Sequence, residues 1–237
     1  MANEAHSSLR DRLISTRQRI VDAALSSGRR ADSIQLLAVS KTRHATEIRE
    51  AASLGQFAFG ESYLQEALEK IQQLQDLNLE WHFIGRIQSN KTRNIAEHFD
   101  WVHSLASLKH AQRLSDQRPP DLAPIKVCIQ VNTSGESSKG GHDPDELPDL
   151  IRHYAVLPNI DLRGLMTIPA PATSLEAQRL PFKRLRLLRD SLQSEKLPLD
   201  TLSMGMSADL EAAIAEGSTL VRVGTAIFGP RLYNVKN

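Results

Sequence analysis

The sequence predicts an α/β protein: a (β/α)8 TIM barrel with one extra helix at its amino end. Three observations carry this. Eight short β-like apolar runs alternate with helical patterns, the 237 residues are close to the usual length of such a barrel, and no linker interrupts the rhythm. Residues 1–237 are therefore expected to form a single domain. An open doubly wound sheet is the structural alternative, but eight strand candidates exceed the six of its usual form.

The first segment, Ser8 to Leu25, places Leu9, Leu13, Val21, Ala24 and Leu25 at helical spacing, with arginines and Asp22 between them, and reads as an amphipathic helix capping the fold. The strand candidates follow in order: Gln35–Ser40, Phe57–Gly60, Glu80–Gly85, Trp101–Ser104, Ile125–Asn132, Asp161–Ile168, Thr201–Gly205 and Thr219–Gly224. The helices between them carry their own punctuation. Asp143-Pro144 resembles an N-cap followed by proline, and Gly55 and Gly217 fall where helices should stop. Pro181, inside the helical pattern Leu175 to Leu192, is expected to kink or divide that helix. Pro119 to Pro124 and Thr133 to Gly141 read as loops.

Composition excludes several functions. With 41% hydrophobic and 24% charged residues and a formal charge of +1, the chain can bury a core and has no overall field to attract nucleic acid or an anionic membrane. Met1 to Arg19 lacks the apolar stretch of a signal peptide or membrane span, so a cytoplasmic protein is expected. Cys128 is the only cysteine; within Val127-Cys128-Ile129 it reads as a core residue, and an internal disulfide or multi-cysteine metal site is excluded.

In such a barrel the active face is built at the carboxyl ends of the strands. Lys41 follows the first strand, where a partly shielded amine can capture an aldehyde, although a strand-end lysine is more often a solvated charge. Ser203, Gly205 and Ser207 follow the seventh strand and Gly224-Thr225 the eighth, a Gly/Ser/Thr convergence suited to a phosphate where barrels commonly bind one. Arg222, two residues before Gly224, shares that glycine's side of the strand. Its partner there is either a structural carboxylate or a pyridine nitrogen. Bland readings hold for His82 and His103 as satisfied core groups, for Lys91 and Arg93 as a solvated helix start, and for Lys139 as an exposed loop amine.

Ala38-Val-Ser-Lys-Thr42, Phe59-Gly-Glu-Ser-Tyr63, Trp81-His-Phe-Ile-Gly85 with Gln88-Ser-Asn-Lys91, Arg163-Gly-Leu-Met166, Leu202-Ser-Met-Gly-Met-Ser207 and Val221-Arg-Val-Gly-Thr-Ala-Ile-Phe-Gly229 together resemble the pyridoxal phosphate homeostasis family, whose barrel is similar to that of alanine racemase. The resemblance implies pyridoxal 5'-phosphate held as a Schiff base on Lys41, phosphate contacts from Ser203, Gly224 and Thr225, and a ring-nitrogen contact from Arg222. Met166 and Ser62 lie in the same motifs and complete the expected cofactor-binding set. The family usually has Asn where this chain has Ser62, a shorter side chain that reaches less far. The resemblance further implies a monomeric carrier that buffers the cofactor and delivers it to apoenzymes without established catalysis, since the second domain of the racemases is not expected after Pro230. The alternatives are a minimal amino-acid racemase or lyase, and a phosphosugar barrel enzyme using Lys41 without pyridoxal.

Overall fold

The computed structural model describes residues 7–136 and 140–230. Eight parallel strands close into a barrel in sequence order: β1 Gln35–Val39, β2 Ala58–Glu61, β3 Glu80–Phe83, β4 Trp101–Leu105, β5 Ile125–Gln130, β6 Ile160–Met166, β7 Thr201–Ser203 and β8 Leu220–Val223. The ring shuts where β8 pairs with β1, Arg222 lying opposite Leu37 and Val223 opposite Ala38. Around it run α1 Leu9–Ser26, α2 Ala45–Ser53, α3 Leu64–Gln73, α4 Thr92–His98, α5 Leu108–Gln117, α6 Leu147–Ala155, α7 Leu175–Leu192, α8 Leu210–Ala215 and the single turn α9 Thr225–Phe228.

Strands covered on both faces must be apolar nearly throughout, and β4 and β8 are buried at every position. Alternation then sorts the side chains. One set, including Ala38, Phe59 and Leu202, joins the large core shared with the helices through Ile95, Leu114, Tyr154 and Phe182. The other points into the barrel as two small clusters, Leu37 with Ala58 and Leu220, and Trp101 with Cys128 and Met166. Cys128 is thus the core residue its apolar flanks predict.

All eight predicted strands form, and several end one or two residues early. Ser40, Gly85, Asn132, Ile168, Gly205 and Gly224 lie beyond the last paired residue, in the loops of the mouth. Phe57 lies outside β2 and is exposed, which shifts that strand to Ala58–Glu61.

Two expectations are corrected. The buried stripe of α1 runs through Leu9, Leu13, Thr16, Ile20, Ala23 and Ala24, while Leu25 is 66% exposed. At 100° per residue Leu25 lies about 160° around the helix from Leu9, so it cannot share that face. The capping box of Ser8 and Asp11 starts this helix, which packs on α8 and α9. Secondly, Asp143-Pro144 does not start α6. The Asp143 carboxylate accepts from the Asp145 backbone N–H at 2.9 Å and caps a turn, and the helix begins at Leu147 with Pro148 in its first turn. Of the two outcomes expected at Pro181, division does not occur: α7 continues through it from Ser174, whose hydroxyl caps the amino end. Gly55 and Gly217 do follow helix ends, at φ +79° and +93°, in the left-handed conformation that favours glycine.

Candidate functional site

The carboxyl ends of β1 and β2 present Lys41 and Ser62 to the mouth. Lys41 is half-buried, and its two neighbours are held from behind. The Ser40 N–H donates to Gly60 O at 3.0 Å, its hydroxyl donates to Glu61 Oε1 at 2.7 Å, and its carbonyl accepts from Lys70 Nζ at 2.8 Å. Lys70 also pairs with Glu61 Oε1 at 2.8 Å and with Glu66. Thr42 takes φ +65°, costly for a β-branched residue, and its N–H donates to Glu66 Oε1. Glu61 is fully buried, and its Oε2 has no hydrogen-bond partner among the described residues. Burial pushes the Glu61 carboxyl above the ordinary range, against the opposing pull of Lys70.

On the adjacent side of the ring, Gly205 follows β7 at φ +96°, and a Cβ there would stand 2.6 Å from Ala213 Cβ. Its carbonyl accepts the Arg222 backbone N–H at 2.9 Å. The Arg222 side chain lies inside the barrel, 4% exposed, donating through Nη1 to Ser203 O (2.6 Å) and Ser203 Oγ (2.7 Å), and through Nη2 to Thr167 O (2.8 Å). These acceptors are all neutral. Burial lowers the Arg222 pKa to about 10, with Asp209 opposing, so it stays a cation at neutral pH. Its Nε and its second Nη2 hydrogen find no acceptor among the described residues. Beyond it, Gly224 leads into α9, Thr225 is exposed, and Ser207 Oγ accepts the Ala226 N–H at 3.4 Å. A Cβ on Gly224 would stand 3.2 Å from Val39 O, so only glycine leaves this corner open without crowding β1.

Of the residues singled out in the sequence, Lys41, Ser62, Gly224 and Thr225 therefore follow the carboxyl ends of the neighbouring strands β1, β2 and β8, with Arg222 near the end of β8. The Ser62 hydroxyl bonds to no described residue, and its carbonyl lies so close to Gly85 that a Cβ there would stand 2.1 Å away. Met166 and Ser203 lie deeper: Met166 packs with Trp101 and Cys128, and the Ser203 hydroxyl is engaged by Arg222 and by His103 Nδ1 at 2.7 Å. Arg93 pairs with Glu97 on the surface at 3.7 Å, and Lys139 falls outside the described residues. His82 and His103 are buried and bonded to each other at 2.8 Å. No cluster of His, Cys, Asp and Glu among the described residues could hold a metal. The sequence reading missed Glu61 and Lys70; a carboxylate ending a wholly buried strand was the available signal.

An amine, a guanidinium with unused donors and a Gly/Ser/Thr corner suit, respectively, an aldehyde, a neutral ring acceptor and a phosphate. A family model described as alanine racemase, N-terminal domain, matches residues 23–231. The chain belongs to the alanine racemase N-terminal domain family. Within that family it is 56% identical to the pyridoxal phosphate homeostasis protein of Pseudomonas aeruginosa, over 96% of this chain and 97% of the relative. It is 50% identical to the protein of the same name from Escherichia coli K12, over 94% and 97%. Among solved structures, PipY of Synechococcus elongatus with PLP bound superposes with a TM-score of 0.82 at 38% identity, covering 94% of this chain and all of that one. An alanine racemase of Clostridium difficile shares the fold alone, with a TM-score of 0.70 at 16% identity over 57% of its length.

Proposed function

We propose that this chain binds pyridoxal 5'-phosphate at the barrel mouth and works as a monomeric cytoplasmic carrier that buffers the cofactor and hands it to apoenzymes. The reading is supported by the names of relatives similar over nearly their whole length, and by the PLP bound in PipY. The observation that carries it in this chain is Arg222, a buried cation with unused donors on β8, beside the strand β1 that Lys41 follows. Lys41 supplies the amine, Arg222 donates to the ring nitrogen, and Gly224, Thr225 and Ser207 receive the phosphate. Ser62 borders the ring from β2. Ser203 acts by holding Arg222, and Met166 forms part of the floor.

When bound, the cofactor supplies an aldehyde that an amine can capture and a ring that can delocalise charge. Arg222 limits the second property. A permanent guanidinium at the ring nitrogen disfavours its protonation and so weakens the ring as an electron sink. The chain's own residues therefore favour retention over turnover.

The test is solvent-deuterium incorporation at the α-carbon of several amino acids, run beside transfer of cofactor to an apoenzyme in the presence of a trap for free cofactor. Transfer with negligible incorporation is expected. Rapid incorporation abolished by Lys41→Ala would establish the racemase alternative instead.

A further inference from the structure

Below the mouth, side chains from four strands form one unbroken line down the barrel. Arg222 Nη1 meets Ser203 Oγ at 2.7 Å, Ser203 Oγ meets His103 Nδ1 at 2.7 Å, His103 Nε2 meets His82 Nδ1 at 2.8 Å, and His82 Nε2 meets Glu80 Oε2 at 3.1 Å. Ser203, His103 and His82 are fully buried, whereas Glu80 opens β3 at the far end of the barrel and is partly exposed.

The direction of every proton in this line follows from its end. Hydrogen bonds from His82, Trp101 Nε1 and Gln35 Nε2 hold the Glu80 carboxyl far below the usual range, and Lys126 stands 3.3 Å away, so Glu80 is a carboxylate and can only accept. His82 Nε2 must therefore donate. Burial pushes both imidazoles below their ordinary value against the opposing pull of Glu80, joined at His82 by Asp100, and the cations Lys126 and Arg222 add to the lowering at His82 and His103, so each ring carries one N–H. His82 Nδ1 then accepts, His103 Nε2 donates, and His103 Nδ1 accepts the Ser203 proton. That leaves the Ser203 oxygen only lone pairs to offer Arg222. The surroundings hold the line still: Trp101 stacks on His82 at 5.4 Å and 7°, and Arg163 and Lys126 lie over Trp101, while the charge of Asp209 favours the Arg222 cation.

We propose that Glu80 is a positioning residue for Arg222, acting across the barrel through His82, His103 and Ser203: it commits the Ser203 proton to His103, so that the Ser203 lone pairs serve Arg222 alone and the remaining Arg222 donors are aimed at the cofactor. The proposal rests on the reading that a ring nitrogen meets Arg222. A merely packed histidine pair would tolerate either tautomer. Here the opposite polarity would set two acceptors face to face at Glu80, and only the carboxylate forbids it. In Glu80→Gln the amide oxygen stays with the donors Trp101 Nε1 and Lys126 and its N–H faces His82, so the line reverses: both histidines move their proton to Nδ1, the Ser203 oxygen must accept from His103 and Arg222 at once, and the Ser203 proton loses its partner.

Long-range proton–nitrogen correlation spectra of cofactor-free, isotopically labelled protein read the tautomers directly, and the wild type needs no substitution for this. Both histidines are expected as Nε2–H in the wild type and as Nδ1–H in Glu80→Gln. In cofactor-loaded protein, the pH midpoint of the absorbance band should move by about half a unit or more in Glu80→Gln, and likewise in Ser203→Ala, which cuts the line without touching Glu80. An Nδ1–H tautomer in the wild type, unchanged tautomers in Glu80→Gln, or an unmoved midpoint in both variants overturns the proposal. A wild type that shows no cofactor band refutes the cofactor reading itself, and the proposal with it, whereas a band that does not move refutes the proposal alone.

Discussion

Replacing Lys70 with Met tests how Lys41 is held. Lys70 and Glu61 are 6% and 0% exposed, and their 2.8 Å contact is accompanied by the bond from Lys70 to the Ser40 carbonyl. Methionine keeps the stem of the side chain and removes the charge, leaving Glu61 with the Ser40 hydroxyl as its remaining partner, one carboxylate oxygen already having none. Removing one member of a buried pair costs about 3–5 kcal/mol while the survivor stays charged. Glu61 can avoid that cost by taking up a proton, and this sets the pH dependence. Its folded-state pKa is already raised, so the folded protein binds the extra proton; the stability it contributes is full below the unfolded carboxylate value and is lost as pH rises through the folded one. Removing the cation raises that folded value further. Urea unfolding of Lys70→Met should therefore show a deficit that is small near pH ~4 and grows toward neutrality. Lys70→Met/Glu61→Gln should recover most of it. A deficit below about 1 kcal/mol at pH 7, or one that does not vary with pH, would refute this account of the pair.

Other outcomes follow from the same geometry. Thr225→Val removes a hydroxyl donor at nearly constant size and should weaken retention of the phosphorylated cofactor by about 1–3 kcal/mol, leaving pyridoxal without phosphate almost unaffected; equal retention in equilibrium dialysis would remove Thr225 from the site. Gly85→Ala drives a Cβ to 2.1 Å from the Ser62 carbonyl, so the β2 and β3 loops must part. A loss of about 1–3 kcal/mol in thermal unfolding is expected, and full stability would show that the approach of these loops is not as close as described.

The architecture was legible in the sequence because eight strands buried on both faces leave eight apolar runs, and because glycine marks helix ends where φ is positive, as at Gly55 and Gly217. Asp143 misled because an aspartate caps a turn as readily as a helix. Leu25 was grouped with Leu9 because it is apolar, although the helical repeat itself places it on the opposite side. At the site, Lys41, Ser62, Arg222, Gly224 and Thr225 were recognisable as strand-end residues. Glu80, His82, His103 and Ser203 were not recognisable as one line, because their contacts join β3, β4 and β7 across the barrel, over sequence separations that no local pattern encodes. Glu61 and Lys70 were obscured in the same way: one ends a strand, the other lies on a helix, and only the fold buries them together behind Lys41.

The central claim is that Lys41 receives the aldehyde of pyridoxal 5'-phosphate. Borohydride reduction of the cofactor-loaded protein followed by peptide mass mapping tests it most directly. The account predicts one dominant adduct, on the peptide carrying Lys41, and its loss in Lys41→Ala; a dominant adduct on Lys91, Lys139 or any other lysine of the wild type would contradict it.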